Sequence, residues 1–130
     1  MGGGGALTTP TVVVVDNDAP VRAALSALLK SAGYAVDTFA SAESFLESDR
    51  LSSTGCLLLD VRMSGMGGLE LQEHLARLDA QIPIIFMTAY AESSLRSRSL
   101  AIGKAEFLEK PFTDEALLGA IERMLRAAPR

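Results

Sequence analysis

The chain has 130 residues, 48% apolar and 22% charged, which suits one globular domain with one core and excludes a disordered chain. A net charge of -4 argues against nucleic-acid binding by the chain itself, since phosphate contacts need a basic patch. No apolar stretch is long enough to span a bilayer, no signal peptide opens the chain, and the lone Cys56 cannot form an internal disulfide; a cytoplasmic protein is expected.

Residues 1–10 carry four glycines and no periodic pattern, and read as a flexible leader or cloning remnant ahead of a domain over 11–130. Val12 to Val15 form a β-branched run that suits a central strand and stops at Asp16-Asn17-Asp18. Asp18 is an N-cap and Pro20 a first-turn residue of a helix that presents Val21, Leu25, Leu28, Leu29 and Ala32 on one face, with Gly33 ending it. Tyr34 to Thr38 is a weaker strand, expected at the sheet edge. Ser41 caps a short helix that turns Phe45 and Leu46 inward.

Cys56 to Asp60 follows as a continuous apolar strand ending on an acid, with Cys56 a small buried hydrophobe. A glycine-rich loop leads into a helix with Leu71, Leu75 and Leu78 on one side, where His74 is expected to face solvent. Pro83 introduces the strand from Ile84 to Met87, running into Thr88. The next helix, from Glu92 to Ile102, is a poor one: serines stand at 93, 94, 97 and 99, and only Leu95 and Ile102 anchor it. The strand Ala105 to Leu108 leads to Glu109-Lys110-Pro111. Thr113 caps a last helix whose stripe is Leu117, Ile121, Met124 and Leu125, with Phe112 stapled to Leu117. Five strands alternating with five helices predict a parallel sheet covered on both faces.

All strands of such a sheet end at one edge, where ligands bind. The residues just past the apolar runs are Asp16, Asp60, Thr88 and Lys110. Each alone is a cap, a turn former or a surface charge; together they form a set. No Ser-His pair serves acyl transfer, and no glycine-rich phosphate loop follows the first strand. A carboxylate can attack phosphorus to give an acyl phosphate, and the transferring oxygens then need cations and donors. Lys110 supplies a cation, Thr88 a hydroxyl, and Asp16 with Asp60 a site for a hard divalent ion such as Mg²⁺. The set matches phosphorylation of Asp60.

Four pieces carry a resemblance over about residues 11 to 127: Val-Val-Asp16 with Asp18, Leu-Leu-Asp60-Val-Arg-Met-Ser-Gly-Met, Met-Thr88-Ala, and Gly103-Lys-Ala-Glu-Phe107-Leu-Glu-Lys110-Pro111-Phe112. In this order they resemble the receiver domains of bacterial two-component response regulators, most of all those that precede a helix-turn-helix DNA-binding domain. The resemblance implies a flavodoxin-like doubly wound (βα)5 sandwich with strand order 2-1-3-4-5. It implies a phosphoacceptor rather than an enzyme, Asp60 being charged by a histidine kinase or a small donor. Thr88 and Lys110 would contact the phosphoryl group. Mg²⁺ would lie among Asp16, Asn17, Asp60 and the backbone carbonyl of Arg62. Phe107 occupies an aromatic switch position expected to turn inward as Thr88 moves to the phosphate, and the Lys110-Pro111 bond is expected cis. The fourth helix, fifth strand and fifth helix would form the partner face, homodimers included. DNA would be reached only through an output domain absent from this chain, and no membrane is involved.

Asn17 departs from the family, which has a second acid there as a metal ligand. An amide brings no charge, so weaker Mg²⁺ binding is expected, and the capping role of Asp18 keeps it from standing in. Ser64 replaces a common proline, predicting a looser loop, and Tyr90 and Arg62 could crowd the phosphate. Two rival readings are a degenerate receiver that binds partners without phosphorylation, and a haloacid dehalogenase-type phosphatase with Asp16 as nucleophile. A flavin-binding reading of the same architecture is disfavoured, since nothing in this chain cradles a phosphate before modification.

Overall fold

The order of the strands follows from how apolar each is. In the computed structural model, which describes residues 10–62, 65–90 and 92–126, the centre of the sheet is β1 (Thr11–Val15), β3 (Thr54–Asp60) and β4 (Ile84–Thr88). These are the runs of valine, leucine and isoleucine, and their middles are fully buried, as strands covered on both faces must be. The more polar β2 (Ala35–Phe39) and β5 (Ala105–Glu109) take the two edges, giving five parallel strands in the order β2-β1-β3-β4-β5. This is the flavodoxin-like order.

Alternation along the strands makes two cores. Val12, Val14, Cys56, Leu58, Ile85 and Met87 face α1 (Ala19–Ser31) and α5 (Asp114–Arg126). Val13, Val15, Leu57, Leu59, Ile84 and Phe86 face the opposite way, toward Phe45 of α2 (Ala42–Glu47) and Leu71 and Leu75 of α3 (Gly68–Arg77). The remaining helix, α4 (Ser93–Ile102), packs beside α3 and β5. Cys56 is buried, and burial pushes its thiol up to about 12, so it is an inert core residue.

The expected caps form. Asp18 accepts from Val21 N at 3.4 Å, Ser41 from Ser44 N at 3.0 Å and Thr113 from Ala116 N at 3.0 Å. Other details differ from expectation. The second strand starts at Ala35 rather than Tyr34. Ala32 and Leu78 are C-caps of α1 and α3 and leave the buried stripes, Leu78 being 54% exposed. Each is followed within a residue by a positive φ, at Gly33 (96°) and Asp79 (58°), which turns the chain away from the helix face. His74 and Leu125 are half-buried. In α4 the expected anchors Leu95 and Ile102 are only half-buried; Ser99 is the buried residue. Among the described residues no helix is long and apolar enough to cross a membrane.

Candidate functional site

Register sets the height of each polar residue at the carboxyl edge. Val15 pairs with Leu59 and Asp60 with Met87, so Asp16 and Asp60 emerge at one level and Thr88 follows one residue higher. Thr88 pairs with Glu109, which puts Lys110 just beyond, its N–H donating to the Thr88 carbonyl at 2.7 Å. Asp16, Asp60 and Lys110 come together there. Lys110 Nζ lies 3.7 Å from Asp60 Oδ2, an ion pair too long for a good hydrogen bond, with Asp60 mostly covered and Lys110 38% exposed. The other Asp60 oxygen accepts from Arg62 N at 3.1 Å. Asp16 is close enough to feel the charges of both Asp60 and Lys110.

Asp16 is almost wholly buried. Its Oδ1 accepts from Asp18 N at 2.9 Å, while Oδ2 has no partner. Burial raises its carboxyl above the ordinary carboxylate range; the Asp18 N–H opposes this, Asp60 adds to it and Lys110 reduces it. An orphaned, buried carboxylate oxygen beside a second carboxylate is a donor set for a hard cation. Asp16 and Asp60 supply two acids that fit Mg²⁺, and Asn17 and Arg62 are the chain neighbours that would complete its oxygen set. Among the described residues no group of three or more His, Cys, Asp or Glu gathers for a metal. Asp18 is committed to its helix, as expected.

Thr88 stands at the same edge, one residue beyond the level of Asp60. By alternation it shares its sheet face with Phe86 and Phe107. Its hydroxyl donates to Tyr90 O at 3.1 Å and accepts from Tyr90 N at 3.2 Å. It must release Tyr90 O before it can donate to a group on Asp60. Phe107 already stacks on Phe86, centroids 5.1 Å apart, with the Arg96 guanidinium 5.0 Å from its ring centre. The neighbouring ring and the Arg96 cation hold it in this packing. Tyr90 is 68% exposed and bound by its backbone. The Lys110-Pro111 bond is cis. Ser64, expected to loosen the loop, lies outside the described residues.

Sequence reasoning missed Arg22, whose Nη1 donates to the Asp16 carbonyl at 2.7 Å, and Glu43, which bonds Met66 N at 3.0 Å. Arg22 was within reach of inference, since it sits one turn past the cap at the strand end. Two open clefts, of about 340 and 610 Å³, lie around Ile82 and Pro83 at the opposite edge of the sheet and include none of the four polar residues.

Residues 12–122 match the family described as response regulator receiver domain. The chain belongs to that family. The receiver is 42% identical over 119 residues to the response regulator protein TodT of Pseudomonas putida, covering 92% of this chain and 52% of TodT. It is 38% identical over 117 residues to the transcriptional regulatory protein FixJ of Bradyrhizobium diazoefficiens, covering 90% of this chain and 57% of FixJ. Among solved structures, the response regulator StyR is similar with a TM-score of 0.86 and 49% identity, over 93% of this chain and 61% of that one. The receiver spans about half the length of the curated relatives it matches. The dehalogenase-like reading, with a buried Asp16 as nucleophile, falls with this assignment.

Proposed function

We propose that this receiver takes a phosphoryl group on Asp60 from a histidine kinase, and that the acyl phosphate resets its α4–β5–α5 face toward an output that controls transcription in the cytoplasm. The observation that carries this is the Asp60–Lys110 pair at 3.7 Å beside the orphaned Asp16 oxygen. An Asp60 oxygen attacks phosphorus, the bond from phosphorus to the donor's imidazole nitrogen breaks, and its electron pair leaves with that nitrogen. Lys110 turns from the carboxylate to a phosphoryl oxygen. Asp16, Asn17, Asp60 and the Arg62 carbonyl would hold Mg²⁺, which would supply positive charge to the transferring group. Thr88 exchanges the Tyr90 carbonyl for a phosphoryl oxygen, which frees the loop before α4. That helix has Glu92 as its N-cap and no side-chain cap bond, so nothing but its own packing holds its first turn against the loop.

The homodimer that such a face could make belongs to the same proposal. The rival of a phosphorylation-independent binding module draws on Asn17, and both are decided together. Acetyl phosphate with Mg²⁺, followed by intact-mass analysis, is expected to add one phosphoryl group to the wild type and none to Asp60→Asn. Asn17→Asp should react at lower Mg²⁺, half-saturation falling about tenfold for one added ligand charge. A wild type that gains no mass would favour the binding module; equal Mg²⁺ dependence of the two proteins would refute the role given to Asn17.

A further inference from the structure

Among the described residues, the loop that leaves Asp60 is tied at both of its ends. Val61 N donates to Met87 O on the neighbouring strand, Gly68 N to Val61 O, and Gly67 N to Glu70 Oε1 at 3.0 Å. Met66 N donates to the side chain of a different element, Glu43 Oε2 of α2, at 3.0 Å across 23 residues of sequence. Glu43 itself is exposed, but its helix is fixed. Ala42 and Phe45 on either side are fully buried, and Ser41 caps the helix. The loop comes so close that a Cβ on Gly65 would stand 2.8 Å from Glu43 Oε2, and Gly65 has a φ of +77° that side chains rarely adopt. Glycine at 65 and the carboxylate at 43 make one contact.

We propose that Glu43 is a positioning residue of the phosphorylation site: through its bond to Met66 N it holds the backbone ahead of α3, and the site's affinity for Mg²⁺, toward which Arg62 would offer its carbonyl, depends on that hold. This rests on the phosphorylation reading for its purpose, and on the Glu43–Met66 bond for its geometry. A support behind a metal ligand acts on affinity although it never touches the ion. Carboxylate charge is not required, since an amide oxygen accepts from the same N–H.

The test titrates Mg²⁺ alone into ¹⁵N-labelled wild type, Glu43→Ala and Glu43→Gln, following the amides of residues 60–62 and 65–67, with melting temperatures alongside. The same three are made in the Asn17→Asp background, where binding is tighter and the midpoint easier to reach. Glu43→Ala should raise the Mg²⁺ midpoint about tenfold, the low end of what loss of a supporting bond does. Glu43→Gln should stay close to wild type. A role in helix α2 alone would lower the melting temperature and leave the midpoint in place. An unmoved midpoint in Glu43→Ala, or a Glu43→Gln as impaired as Glu43→Ala, would overturn the proposal. An acetyl phosphate arm separates the two readings: no phosphoryl uptake by wild type, with the midpoints ordered as expected, sinks phosphorylation and leaves the positioning role standing.

Discussion

Asp16 holds a carboxylate where a carboxylate is costly. One oxygen is bonded to Asp18 N and the other is buried without a partner, next to a second acid. Its folded carboxyl titrates above the ordinary 3.8, so the folded chain keeps this proton more tightly than the unfolded chain. Between the two values the folded state binds more protons, and stability therefore falls as pH rises through that window and stays low above it. Asp16→Asn should raise the metal-free melting temperature at pH 7 by about 4 °C, what roughly 1 kcal/mol does to a domain of this size. The gain should shrink as pH falls toward 3.8, and added Mg²⁺ should stabilise the wild type but not the variant. A melting difference that does not change with pH would show that the charge is not the cause. The sequence reveals the acid at this strand end and the cap at Asp18, because both follow from where the apolar run stops. It does not reveal that Thr88 turns to Tyr90 or that Glu43 reaches Met66. Those depend on a side-chain rotation and on two elements meeting in space.

At the scale of elements, α4 is the one α-helix among the described residues with no fully buried apolar side chain. Ser99 is its buried residue, and its carbonyl accepts from Gln72 Nε2 on α3 at 3.0 Å; the Ser99 hydroxyl and the Gln72 carbonyl oxygen are buried without partners. Unpaired buried polar atoms make this contact a weak latch. The second hold is Arg96 over Phe107. Poor serine-rich composition predicts a marginal helix, and that much is legible in the sequence. The anchors are not, because a glutamine on α3 selects which face of α4 turns inward, and an apolar pattern carries no trace of it. Arg96→Ala removes a cation–π contact worth about 0.5–1 kcal/mol at an exposed site, so amide exchange over residues 93–102 should quicken about two- to fivefold. Protection in β1 and β3 should stay as it is. Unchanged exchange across α4 would mean that Arg96 does not hold it.

The whole molecule was the most legible level. Alternating strands and helices with short connections leave few topologies, and the carboxyl ends then share one edge whatever the side chains do. Burial of β1, β3 and β4 on both faces explains why these runs show no polar alternation, while β2 and β5 take the edges. That scaffold delivers two carboxylates and an ammonium to one place from segments far apart in sequence, and it sets Thr88 one residue above them. The account therefore turns on a coordinated response at this edge. Beryllofluoride, a non-covalent mimic of a phosphoryl group on a carboxylate, with Mg²⁺, is its most direct probe, read by amide NMR. The shifts should gather at residues 16–17, 60–62, 88–90 and 110, extend into 93–102, and vanish in Asp60→Asn. Shifts confined to residues near 60, with Thr88, Lys110 and α4 unmoved, would contradict it.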